Sequence, residues 1–122
     1  VQPMLPIQTE LILGIKNDPT VGPVVIYGLG GIYTEIFKIV NFLIPPLSSE
    51  EIRDSLLRGK IGFLFRETRG QAPYNLEEIT QIILNILTLA SEVKEIKELD
   101  INPLLAYNNG RESIAIDVKI LI

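Results

Sequence analysis

Apolar and polar positions alternate along this chain first with the period of a strand, later with that of a helix, and at the end with that of a strand again. Residues 9–16 (TELILGIK) alternate and are rich in branched side chains, then meet Asn17-Asp18-Pro19, a strong turn initiator, and resume as Val24-Val25-Ile26-Tyr27. That predicts a hairpin with a long turn. A glycine-rich bend, Gly28-Leu29-Gly30-Gly31, leads into a second strand-like run at 33–42 that Pro45-Pro46 ends. Ser48-Ser49-Glu50-Glu51 opens a helix, because Ser48 and Glu51 have capping-box spacing and Ile52, Leu56 and Leu57 follow; Gly59 stands near its end. Residues 60–74, with Gly62, Gly70 and Pro73, are irregular and read as a loop or a short helical link. Asn75 caps a longer helix, with Glu78 three residues on, and its stripe of Ile79, Ile82, Ile83, Ile86, Leu87 and Ala90 packs on a sheet. Residues 96–107 and 112–120 read as two strands around Asn109-Gly110, the best short-range hairpin signal. The expected fold is α/β of the α+β kind: one domain over 1–122, with a mostly antiparallel sheet covered by two helices.

Composition narrows the chemistry. The 122 residues are 47% hydrophobic and 21% charged, which suits a globular domain rather than a disordered chain, and no apolar run reaches the ~20 residues a membrane helix needs. Eleven basic against 15 acidic residues leave a net charge of −4 with no basic cluster, which disfavours nucleic acid as a partner. There is no Cys and no His, so thiolate and imidazole chemistry are excluded and oxygen ligands remain. Val1-Gln2-Pro3-Met4 has neither the basic nor the apolar region of a signal peptide, which makes the cytoplasm the default expectation. A start at Val and an end at Ile120-Leu121-Ile122 suggest a module cut from a longer polypeptide.

The last hairpin concentrates oxygen ligands. If Asn109-Gly110 is a two-residue type I′ turn, or lies in a four-residue loop from 108 to 111, position 108 pairs with 111; counting outward, Asn102 then faces Asp117 and Asp100 faces Lys119. Alternation puts all four on one face, so an amide carbonyl and a carboxylate converge. Such a pair fits Mg²⁺, which takes one or two protein oxygens and fills its remaining positions with water and phosphate. The same geometry also describes an exposed polar face on which Asp100 and Lys119 form an ordinary cross-strand pair.

The string Glu98-Leu99-Asp100-Ile101-Asn102-Pro103-Leu104-Leu105, followed by Ala115-Ile116-Asp117-Val118-Lys119, resembles the end of the ATP-grasp domain in nucleoside-diphosphate-forming acyl-CoA synthetases, relatives of the succinyl-CoA synthetase β subunit. Glu10-Leu11-Ile12-Leu13-Gly14, Asp18-Pro19, Gly22-Pro23-Val24-Val25 and Gly28-x-Gly30-Gly31-Ile32-Tyr33-x-Glu35 resemble the preceding block of that family, in the same order. The resemblance implies the second half of an ATP-grasp fold, with Mg²⁺ and ATP or ADP as its ligands. It makes Asn102 and Asp117 the metal ligands, with Asp100 at the adjacent acidic position. Gly28, Gly30 and Gly31 offer either a backbone nest for phosphate or a plain strand-to-strand turn. Arg69 matches a family position that would touch triphosphate or a partner subunit, or is a solvated loop arginine. Glu10 accepts from ribose hydroxyls, pairs with a lysine, or sits at the surface of its strand.

The resemblance further implies a role in acid + CoA + ATP ⇌ acyl-CoA + ADP + phosphate, as an ADP-forming acid–thiol ligase whose partners are the upstream ATP-grasp half and a CoA-binding subunit or domain. Half a nucleotide clamp binds MgATP feebly, and the family's phosphohistidine chemistry needs histidines that this chain lacks, so it is not expected to turn over alone. Pro3, Ile39 and Leu43 depart from the family's charged residues at those places. They favour the alternative of a non-catalytic interaction or regulatory module, including part of a protein acyltransferase, docking or homodimerising through an apolar surface.

Overall fold

Strand β1 (Gln8–Asp18) turns Leu11, Leu13 and Ile15 inward and Ile12, Gly14 and Lys16 to the opposite face, as its alternating sequence requires. The computed structural model describes residues 8–20, 22–30, 40–43 (as backbone), 48–67, 70 and 72–122. Strand β2 (Gly22–Leu29) pairs antiparallel with β1 from Asp18↔Gly22 to Leu11↔Leu29. The turn is tighter than the sequence suggests. Asp18 stays in the strand while its Oδ1 accepts from the Thr20 N–H at 2.7 Å, and Gly22 takes φ +87°, a left-handed conformation that side chains resist. Gly28, expected in a bend, lies inside β2 opposite both Ile12 and Val40 of β3 (Val40–Leu43). Of the strand expected at 33–42, only its last part falls among the described residues; 33–39 and Pro45-Pro46 lie outside them.

Helix α1 (Ser49–Arg58) starts at the expected capping box: Ser48 Oγ accepts from Glu51 N–H and Glu51 Oε1 accepts from Ser48 N–H, both at 3.1 Å. Its Gly59 end leads to a 3₁₀ turn at Gly62–Phe65. Helix α2 (Leu76–Glu92) is capped by Asn75, whose Oδ1 accepts from Glu78 N–H at 3.0 Å. The reciprocal half of that box is replaced. The Glu78 carboxylate accepts instead from Ser113 N–H at 3.0 Å and from Ser113 Oγ, fastening the helix to the end of the last loop.

Both helices cover the same face of the sheet. Ile52 and Leu56 of α1 and Ile79, Ile83, Ile86 and Ala90 of α2 join Leu11, Leu13, Ile15, Val25 and Tyr27 in one core, with Ile82 and Leu87 packed at its margin. Each large apolar side chain so buried contributes about 1.5–3 kcal/mol. The buried Tyr27 hydroxyl donates to Ser55 O at 3.0 Å and lies 2.8 Å from Ser55 Oγ, so α1 satisfies the polar group that its packing encloses.

The chain then returns to the other side of β1. Strand β4 (Glu98–Tyr107) pairs antiparallel with it, and β5 (Ile114–Ala115) and β6 (Val118–Leu121) occupy successive stretches of the far edge of β4. The described sheet runs β3-β2-β1-β4-β5, with β6 also beside β4. Every described pairing is antiparallel. The structure therefore carries the expected mostly antiparallel sheet and two covering helices.

Candidate functional site

The register between β4 and β6 is the one that counting outward from Asn109-Gly110 gives: Asp100 faces Lys119 and Leu99 faces Ile120. One step further in, Asn102 N–H donates to Asp117 O at 3.0 Å, and Ile116 N–H donates to Pro103 O at 3.0 Å. The turn differs from expectation. Residues 108–113 form a longer loop in which Arg111 N–H reaches Asn109 Oδ1 at 3.3 Å, Asn108 Nδ2 reaches Ala72 O at 3.1 Å, and Gly110 takes φ +86°. The last opposed pair is Leu105 and Ile114, so the unpaired stretch between them on the β4–β5 side is still centred on Asn109-Gly110 and the register is unchanged.

The strand opposite β4 is interrupted at Ile116-Asp117, and Pro103 accounts for it, since proline has no N–H to give the ladder. Two consecutive opposed pairs each make a bond there, where a regular antiparallel ladder bonds alternate pairs. On its other side β4 bulges. Leu11 faces Leu104 but Leu13 faces Ile101, so Asn102 and Pro103 together oppose Ile12. The buried positions of β4 accordingly run Leu99, Ile101, Leu104, Ala106, skipping one step at the bulge, with Tyr107 also buried at the strand's end. Asn102 therefore sits where the strand changes the side it shows to the core, and Asp100, Asn102, Asp117 and Lys119 are all exposed.

The face of the sheet opposite the helices holds an open groove of about 480 Å³. Ile26, Gly14, Asp100 and Lys119 cross it in register, each facing the next on a neighbouring strand, and Lys16 and Glu98 line it alongside, 3.8 Å apart. A Cβ added to Gly14 would lie 3.1 Å from Leu99 O and 3.4 Å from Asp100 Oδ1. The Asp100 carboxylate thus leans over β1. Sequence reasoning treated Gly14 only as part of a run of residues; its position opposite an acidic residue could be found only from the β1–β4 register.

The remaining expected residues are distributed as follows. Glu10 is exposed, on an inner strand, opposite Leu105. Gly30 follows β2, and its N–H is already donated to Glu10 O at 2.9 Å, so that N–H is committed to the sheet rather than offered to a phosphate nest. Gly31 and Arg69, with Pro3 and Ile39, lie outside the described residues; Leu43 is paired through its backbone with Val25. Among the described residues no group of three or more acidic side chains is gathered closely enough to hold a metal, and no helix is long and apolar enough to cross a membrane.

Comparison with known proteins places this geometry. The ATP-grasp domain family matches residues 1–122. The acetate–CoA ligase (ADP-forming) I subunit beta of Pyrococcus furiosus is 40% identical over 119 residues, covering 98% of this chain and 50% of that protein. The 4-hydroxybutyrate–CoA ligase (ADP-forming) of Nitrosopumilus maritimus is 39% identical over 111 residues, covering 91% of this chain and 16% of that one. Among solved structures, dinucleotide-forming acetyl-coenzyme A synthetase 1 of Ca. Korarchaeum cryptofilum, in complex with coenzyme A and Mg-AMPPCP, superposes with TM-score 0.83 at 33% identity, covering 97% of this chain and 55% of that one. This chain therefore spans about half the length of the curated β subunit, and a smaller part of the longer ligase. Matched over its whole length, and similar in sequence and fold to these synthetases, the chain belongs to the ATP-grasp domain family, in the form found in ADP-forming acyl-CoA synthetases.

Proposed function

We propose that this chain is the magnesium-bearing half of a nucleotide site in an ADP-forming acyl-CoA synthetase, catalysing acid + CoA + ATP ⇌ acyl-CoA + ADP + phosphate together with an ATP-grasp half and a CoA-binding subunit or domain outside it. The observation that carries this reading is the apposition of Asn102 and Asp117 at the bulge, beside Asp100 and in reach of solvent. Their donors fit the ion. Two carboxylates and an amide carbonyl are hard oxygen ligands, and because the described acidic residues form no closed cage, water and phosphate oxygens are left to complete an octahedron. Asn102 and Asp117, with Asp100 beside them, would hold Mg²⁺, whose chemistry there would be neutralisation of phosphate charge during transfer.

The protein's own contribution is position. The backbone bond between Asn102 and Asp117 keeps the two residues adjacent before nucleotide arrives. Glu10, exposed beyond the groove on β1, is suited to accept from ribose hydroxyls, and Gly28 and Gly30 keep the neighbouring strand bare enough for close approach; Gly31 and Arg69 complete the phosphate side of this reading. The exposed apolar side chains Ile116, Val118, Ile120 and Leu121 along the free edge support a covering partner in the complete enzyme.

Calorimetric titration of MgADP into the chain, alone and mixed with the complementary ATP-grasp half, tests the proposal. Weak binding alone and clear binding in the mixture, abolished by Asp117→Ala, is the expected result. No binding in the mixture, with both parts folded, overturns it.

A further inference from the structure

Lys119 faces Asp100 across β4 and β6, yet the two form no ion pair, and among the described residues Lys119 has no acidic partner. The neighbouring row behaves differently, because Lys16 and Glu98 do approach to 3.8 Å. The cause lies on β1. Asp100 is flanked on that side by Gly14, the only residue of the row without a side chain, and its Oδ1 lies over the open space there, 3.4 Å from where a Cβ would stand. A carboxylate that leans toward β1 leans away from β6. The result is a groove with an acidic group over its centre and a separate ammonium at its rim, both lining the same 480 Å³.

Resting on the nucleotide reading above, we infer that Lys119 is a phosphate-binding residue, held unpaired by Gly14, and that it neutralises a terminal phosphate oxygen of the nucleoside di- or triphosphate whose metal sits on Asn102 and Asp117. The spacing suits this task. Lys119 is two residues beyond Asp117 along the chain and opposite Asp100, so it is a near neighbour of the metal position without being one of its ligands, and a lysine contributes a compact, mobile point charge to phosphate. Had Asp100 and Lys119 closed on each other, both would be neutralised before the ligand arrived.

The test is binding of ADP, AMP and adenosine to the reconstituted site, each with Mg²⁺ and with chelator, in wild type, Lys119→Met, Lys119→Arg and Gly14→Ala. The expected result is a loss of at least about tenfold in ADP affinity for Lys119→Met, in both metal conditions, with adenosine affinity unchanged and Lys119→Arg largely restoring ADP binding. Gly14→Ala, whose Cβ would stand 3.4 Å from Asp100 Oδ1 and fill part of the space over β1 that the carboxylate uses, should weaken ADP in the same direction and by less. A merely structural role would weaken adenosine and ADP equally, and that outcome overturns the assignment. If wild type binds ADP and Lys119→Met matches it, Lys119 has no phosphate role while the nucleotide site stands. If wild type binds no nucleotide at all, both proposals fall.

Discussion

Replacing Gly62 by Ala adds one methyl group where the fold has no room for it. The Cβ would lie 2.0 Å from Leu57 O and 2.8 Å from Leu57 C, against ordinary carbon contacts of about 3.5–4.0 Å. The obstacle is backbone at the end of α1, and Arg66 Nη2 already donates to the same carbonyl at 2.6 Å, so no side chain can swing aside. Overpacking against movable groups costs about 1–3 kcal/mol; here the upper end applies, about 3 kcal/mol. With an unfolding entropy of about 2.1 cal/mol/K per residue, that loss lowers Tm by about 12 °C in a chain of 122 residues. The assay is thermal unfolding followed by far-UV circular dichroism, with Gly30→Ala as the control. There the nearest atoms to an added Cβ are at 3.5–3.6 Å, an ordinary contact, and the change should cost well under about 1 kcal/mol. A Gly62→Ala variant that melts within 3 °C of Gly30→Ala would refute the claim that the 3₁₀ turn is wedged against α1.

Removing the Ser48 cap by Ser48→Ala should cost about 1 kcal/mol, read as a lower midpoint in urea with unchanged m-value, because the first turn of α1 loses a side-chain acceptor while its packing face is untouched. Gly110→Ala meets no atom within 4 Å, so its cost is torsional alone, about 1 kcal/mol from forcing a side chain to φ +86°, and the same urea midpoint measures it. Between the helices, Arg53 donates to both oxygens of Glu77, at 2.6 and 2.9 Å, and this bonding holds the Glu77 carboxyl below the usual glutamate range. A depressed carboxylate stabilises the fold fully above its unfolded value, about pH 4.3, and that contribution disappears as pH falls through the lower folded value. Melting curves at low salt should therefore separate wild type from Arg53→Met above about pH 5 and converge toward pH 3, with the gap narrowing in salt because the pair is exposed.

The two helices were legible because each carries its start signal and its apolar stripe in adjacent residues. Ser48 and Glu51 satisfy one another within three positions, and Ile79, Ile83 and Ile86 declare a buried face whatever lies beneath it. The Asp100–Lys119 pairing was legible for a related reason: it needs only a connection symmetrical about Asn109-Gly110, and the stretch between the last opposed pair, Leu105 and Ile114, is longer than expected but centred on the same point. What local sequence does not carry is a partner distant along the chain. Glu78 has the spacing to close a capping box with Asn75, and it bonds Ser113 instead because a loop 35 residues away supplies a better pair of donors. Gly28 looks like part of a bend because two more glycines, Gly30 and Gly31, follow it, but β1 and β3 flank it and keep it in the sheet. The place of Gly14 beneath Asp100 is likewise a fact of register between segments about 86 positions apart.

The bulge joins these lessons, because it is the point at which a local rule fails. An uninterrupted β4 would keep one alternation from Glu98 to Tyr107, and would bury Pro103 with Leu99 and Ile101 while exposing Leu104. The observed strand avoids both by placing Asn102 and Pro103 opposite the single residue Ile12. That adjustment keeps Leu104 and Ala106 in the core, and the same step breaks the facing strand at Asp117. An uninterrupted ladder holds its polar side chains in evenly spaced rows, whereas an interruption in both strands at the same level changes their aim, which is how bulges serve functional sites elsewhere. Pro103 leaves a gap in the ladder, and that gap is tolerated because the core resumes in phase beyond it. The residue types that bring Asn102 and Asp117 together are thus the ones that make the strand irregular, so a substitution that regularised β4 would be expected to strengthen the sheet and weaken the site.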